Sequence, residues 1–201
     1  RLSDVRNEGY YHYIRALITL EEGQESKTVQ LLEKAGQLLP EEAMPPRRLA
    51  ALHWNRARPE QAATYYREAI ERGPVNAELW QKLGLALDAA GDTSGAIDAF
   101  RHTLQMSPTS SLAARRLAAL LENQDRHGEG LDVLKKAAKA PGADLDMLTT
   151  YGEAAARQWK LEQAEQAFRE ALRRRSEHSY ARVELARVLA RRREWRAAGE
   201  R

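Results

Sequence analysis

The feature that most limits what this chain can fold into is a period of 34 residues running from end to end. Small residues recur at Ala16, Ala50, Gly84, Ala118, Gly152 and Ala186, each step being 34. A second small series runs Thr28, Ala62, Ala96, Gly130, Ala164 and Ala198, and a third runs Ala35, Ala69, Thr103, Ala137 and Ala171. Large apolar residues keep the step at Leu32, Tyr66, Phe100, Leu134 and Phe168, and again at Leu49, Leu83, Leu117, Tyr151 and Leu185. Pro40, Pro74 and Pro108 share one register. Several independent series on one period denote a stack of like units.

Each unit reads as two helices. Trp80, Leu83, Gly84 and Leu87 are spaced to line one helix face, and after Ala90-Gly91-Asp92 a second face follows in Ala96, Phe100, Thr103 and Leu104. Small slots let two helix backbones approach, and large slots fill the space between them. Proline then stops the second helix, because it breaks the hydrogen-bond ladder and disfavours the α conformation just before it. One hairpin cannot bury its own apolar face, so units must stack.

The segment Ala77–Ser110 closely resembles the tetratricopeptide repeat: Trp80, Leu83-Gly84, Leu87, Ala96, Phe100 and Pro108 fill that family's signature slots, with Thr103 in place of the usual alanine. The resemblance implies an all-α fold, a right-handed α-solenoid of stacked antiparallel hairpins. It divides the chain into an N-terminal extension or cap at 1–8 and units at 9–42, 43–76, 77–110, 111–144, 145–178 and, in part, 179–201. Some slots depart from the pattern. Arg15 stands where an apolar residue belongs, and His12 and Pro46 stand where Trp80 does. Pro45-Pro46 suits a helix start. Gly142 and Ser176 replace the terminal proline, which implies less abrupt joins between the last units. The sixth unit lacks most of its second helix, so Leu185 and Val188 are expected to be exposed, with that end fraying, packing on sequence beyond it, or self-associating. A first residue other than Met and a stop in mid-pattern suggest a piece of a longer chain.

Catalytic and metal signatures are missing. There is no Cys, which removes disulfides, thiolate metal sites and cysteine nucleophiles. His12, His53, His102, His127 and His178 include no pair at the i, i+4 spacing of a helical metal site. His12 and His53 fall in hairpin-facing slots, where a partly buried, hydrogen-bonded imidazole is the reading. Gly91-Asp92-Thr93-Ser94-Gly95 lacks the lysine ending of a phosphate loop. The chain is therefore read as no enzyme, with no cofactor and no metal. No apolar run approaches the roughly 18–20 residues that span a bilayer. The formal net charge of +3 does not point to nucleic acid, although 25 Arg against 7 Lys makes the basic charge arginine-rich.

The family resemblance implies that the first helix of each hairpin lines a concave groove that takes a peptide or a partner helix. Placed on this sequence, the groove candidates are Tyr13, Leu17, Met44, Arg47, Arg48, Trp54, Gln81, Lys82, Leu85, Arg115 and Arg116. Trp54 and Tyr13 are residue types that anchor interfaces. Against that, Tyr13 and Leu17 equally suit a cap over the first hairpin. Arg47-Arg48, Gln81-Lys82 and Arg115-Arg116 form a three-rung basic ladder suited to an acidic segment, weighed against a solvated face balanced by Glu78, Asp88 and Glu122. Some family members clamp a chaperone's C-terminal carboxylate with a Lys/Asn/Asn/Lys/Arg set; the paired asparagines are missing here, which disfavours that role.

The leading functional reading is a protein–protein interaction scaffold binding a protein or peptide in the groove. Two alternatives stay open. One is a periplasmic scaffold region of a bacterial envelope or exopolysaccharide-export protein, leaving location as bacterial cytoplasm or periplasm. The other, lesser, is binding of an anionic polymer through the Arg-rich C-terminal surface, where residues 169–201 hold 11 Arg against 5 Glu.

Overall fold

The computed structural model describes residues 2–74 and 76–199; Arg1, Val75, Glu200 and Arg201, which end two of the divisions above or lie within a unit, fall outside the described residues. Among the described residues there are eleven helices and no strand. They are α1 (Leu2–Glu21), α2 (Glu25–Leu38), α3 (Met44–Asn55), α4 (Pro59–Arg72), α5 (Ala77–Ala89), α6 (Thr93–Met106), α7 (Ser111–Glu122), α8 (His127–Lys139), α9 (Leu145–Arg157), α10 (Leu161–Arg174) and α11 (Ser179–Gly199). The chain forms two compact units, 1–103 and 104–201, dividing within α6.

In the first unit α1 packs on α2, α2 on α3, α3 on α4 and α4 on α5. In the second, α7 packs on α8, α8 on α9, α9 on α10 and α10 on α11, while α9 also meets α7 and α11. The main contacts among the described residues are with near neighbours in sequence, as in a solenoid. Residues 2–8, set apart by the sequence as an extension or cap, form the first two turns of α1.

The small slots do what their size allows. A β-carbon on Gly84 would lie 2.8 Å from the Phe100 ring, and one on Gly152 would lie 2.8 Å from the Phe168 ring. Both phenylalanines are fully buried. Where the small slot holds alanine, the facing slot holds Leu32, Tyr66 or Leu134.

The hairpin turns repeat a left-handed residue. Gly23, Ala57, Gly91, Asp125 and Trp159 all have positive φ, between 53° and 82°, and each is 34 residues from the next. The starts of the later first helices repeat as well. Asn76, Ser110 and Asp144 accept hydrogen bonds from the backbone N–H of Leu79, Ala113 and Met147, and His178 Nδ1 accepts from Ala181 N–H. These side chains satisfy donors that a helix start leaves unpaired.

The structure corrects two expectations. The join after α8 is abrupt, because Pro141 lies one residue ahead of Gly142 and holds Ala140 extended, at φ −64° and ψ 141°. At the other end, α11 runs unbroken through the place of the sixth hairpin turn. Its run Arg191-Arg192-Arg193-Glu194 consists of good helix formers. Val188, expected to be exposed, is 2% exposed and packs into the second unit's core with half-buried Leu185. It occupies the slot of Leu52 and Ala154, which is buried in both, whereas Leu189 is exposed.

Candidate functional site

In unit 1, α1, α3 and α5 supply the groove candidates. Tyr13, Leu17, Arg47, Gln81 and Leu85 are half-buried, and Met44, Arg48, Trp54 and Lys82 are exposed. Tyr13 packs against the cluster of Ala16, Leu32 and Leu49. Its hydroxyl accepts from Arg48 Nε at 3.5 Å, which ties α1 to α3. Higher on the same side, Tyr10 donates to Glu42 at 2.6 Å and Arg6 donates to the same carboxylate at 2.9 Å. Met44 and Trp54 are large apolar side chains at the two ends of α3, each more than a third exposed.

Two cations of the ladder, Lys82 and Arg115, have carboxylate partners. Lys82 pairs with Glu78 at 2.6 Å. That bond, together with the field of Arg47, holds the Glu78 carboxyl below its ordinary range. In unit 2, Arg115 lies 3.5 Å from Asp146, and Arg116 is exposed. Thr149, on the next rung, is buried and donates back to the Leu145 and Asp146 carbonyls.

Other features were not singled out in the sequence. In unit 2 the groove side continues onto α11 as Tyr180 and Val183, both exposed. Loss of water around the Tyr180 hydroxyl and its hydrogen bond with Glu153 push that phenol up to about 12. Tyr180 and Val183 lie 34 residues beyond Asp146 and Thr149 on the first helix before them, so the period itself was the missed signal. In unit 1, Tyr11, Ile14 and Ile18 form an exposed stripe on α1. The positions equivalent to Tyr11 and Ile18 in every later unit are buried. Arg15 is exposed and donates to the Tyr11 hydroxyl, over whose ring its guanidinium lies at 5.7 Å.

His53 and His102 serve packing. His53 is buried and stacks on Tyr65 with ring centroids 5.3 Å apart. Burial and the charge of Arg58 lower its pKa. His102 stacks on Trp80 at 4.3 Å. Nδ1 of His12 and of His53 lacks a protein hydrogen-bond partner, so the hydrogen-bonded reading fails at those atoms. Among the described residues, no three His, Asp or Glu side chains converge as a metal site would need, and no helix is long and apolar enough to cross a membrane.

Residues 47–111 match the family model for the tetratricopeptide repeat. No curated protein matches the chain in sequence. Among solved structures, the chain is similar to YrrB, described as a TPR protein with an unusual peptide-binding site, at 16% identity and a TM-score of 0.61 over 85% of this chain and 88% of that one. It is also similar to MamA (from residue 41) of Desulfovibrio magneticus RS-1, at 25% identity and a TM-score of 0.57 over 79% and 89%. A third likeness is to the C-terminal part of a TPR repeat-containing protein from Cytophaga hutchinsonii, at 13% identity and a TM-score of 0.67 over 88% and 69%. Residues 47–111 are thus tetratricopeptide repeat by their family match, and the hairpins on either side share the fold of these solved structures.

Proposed function

We propose that this chain is a non-catalytic protein-interaction scaffold that takes a peptide or partner helix on the first-helix face of unit 1, the face that lines the groove in this fold. The observation that carries the reading is the exposure of Met44 and Trp54 on one side of α3, around half-buried Arg47. Core packing does not require a large apolar side chain at either place: the equivalents of Trp54 are Leu20, Asp88, Glu122, Ala156 and Ala190, and those of Met44 include Glu78 and Asp146. Exposed Trp beside Arg is the composition of an interface anchor. Affinity is expected to rest on these anchors more than on the ladder, since Lys82 is already paired and exposed ion pairs contribute little. The polyanion alternative loses ground because Arg169, Arg173, Arg174, Arg182, Arg187 and Arg192 all have glutamate partners.

Peptides selected from a random library on the immobilised chain provide the test. Trp54→Ala is expected to weaken the selected peptides at least about tenfold, the scale of a hot-spot residue, with helicity by circular dichroism unchanged. Equal binding by wild type, Trp54→Ala and Arg47→Ala would remove this face from the function.

A further inference from the structure

We infer that unit 2 carries a second, separate docking site, a crevice between the α9–α10 turn and α11 that takes a bulky apolar side chain from an acidic peptide segment. Trp159 forms one wall of the crevice. It is the fifth member of the left-handed turn series, with φ 57°. That conformation sets a β-carbon against its own backbone, so glycine, asparagine or aspartate suits it best and a bulky residue is an outlier. Burial does not offset the strain, since Trp159 is 64% exposed. Backbone strain held by an exposed aromatic points toward function.

The surroundings supply a site. Because α11 continues unbroken, it carries Trp195 (70% exposed) to within 6.3 Å of Trp159, ring centre to ring centre, with the planes tilted by 42°. Between them opens a crevice of 410 Å³ lined by Trp159, Leu161, Glu162, Arg192 and Trp195. Its volume falls at the lower end of the ~300–1,000 Å³ typical of ligand pockets. Leu161 is buried and forms an apolar base. The polar wall is closed on itself, because Arg192 binds both Glu162, at 3.0 Å, and Glu165.

Charge selects the occupant. Arg191 lies over the Trp159 ring at 5.9 Å and has no carboxylate partner among the described residues. Lys160, next to Trp159, is exposed and likewise unpaired among them. Residues 104–201 hold 19 Lys and Arg against 14 Asp and Glu, whereas residues 1–103 hold 13 against 15. An apolar side chain entering the crevice beside Trp159 thus comes close to Arg191, and a carboxylate flanking it would pair with that guanidinium. Single-stranded nucleic acid also uses aromatics and arginine. Here the two ring planes are tilted by 42° rather than parallel, so a flat base cannot stack on both.

The test uses fluorescence anisotropy with a labelled peptide, Asp-Glu-Asp-Phe-Asp-Glu-Asp, on the 201-residue chain. Saturable binding is expected. It should weaken at least about tenfold with Phe changed to Ala in the peptide, and likewise with Trp159→Gly or Arg191→Glu in the protein. Trp54→Ala should leave it unchanged, which separates this site from the groove of unit 1. Trp159→Gly should also leave the melting temperature equal or higher, since glycine relieves the turn. A lower melting temperature would make Trp159 structural and overturn the proposal, as would absence of saturable binding. Self-association abolished by Trp159→Gly, seen in sedimentation without peptide binding, would assign the crevice to a second copy of the chain. Tighter binding of oligo-dT through the same tryptophans would assign it to nucleic acid. Either result overturns the peptide assignment.

Discussion

Phe168 is fully buried and rests on the one backbone position of α9 that has no β-carbon, and Phe100 does the same on α5. An alanine at Gly152 gains helix propensity, by about 1 kcal/mol. It also forces a methyl to 2.8 Å from a ring that has nowhere to go. Overpacking of that kind costs about 1–3 kcal/mol. Gly152→Ala is therefore expected to lower stability by about 1 kcal/mol net in urea denaturation. Adding Phe168→Leu should recover part of the loss, because Ala118 with Leu134 is the pairing the chain uses one hairpin earlier. A double-mutant cycle with no coupling would contradict this size matching. The pairing of glycine with phenylalanine was visible in the sequence as two series of one period. The strain at Trp159 was not, because nothing in one residue's identity announces a positive φ.

Among elements, the starts of the first helices are the most regular feature after the core. Asp144 accepts from Met147 N–H at 2.7 Å and from Ser111 Oγ at 2.7 Å, so it both caps α9 and ties α9 to α7. Asp144→Ala is expected to cost about 1 kcal/mol. Hydrogen exchange should locate the loss in the first turn of α9, and unchanged protection there would refute the capping role. The helix ends follow the same logic with different residues. Pro40, Pro74 and Pro108 close α2, α4 and α6, while α8 is closed by Pro141, one place out of register. A one-residue shift is invisible to a strict search at period 34, which is why a softer join was expected there.

For the molecule, near-neighbour packing makes stability close to a sum over adjacent helices. α11 packs on α9 and α10. Deleting residues 179–201 is expected to leave α1–α8 protected from hydrogen exchange and to lower protection in α9 and α10, where Val188 and Ala181 complete the core. Global loss of protection would show a cooperativity that this packing does not predict. Charge is also distributed by unit, with the excess of cations confined to residues 104–201.

From the sequence alone came the helical class, the length of the repeat and the slots that pack. Period and residue size determine these, and both are local properties that survive without coordinates. Tertiary structure decided what depends on which neighbour is present. It buried Val188 against the preceding hairpin, paired Lys82 with Glu78 and Arg115 with Asp146, and let α11 run straight so that Trp195 meets Trp159. The reason is that a slot in a repeat states what a side chain can touch, whereas exposure and charge balance depend on what actually stands across from it.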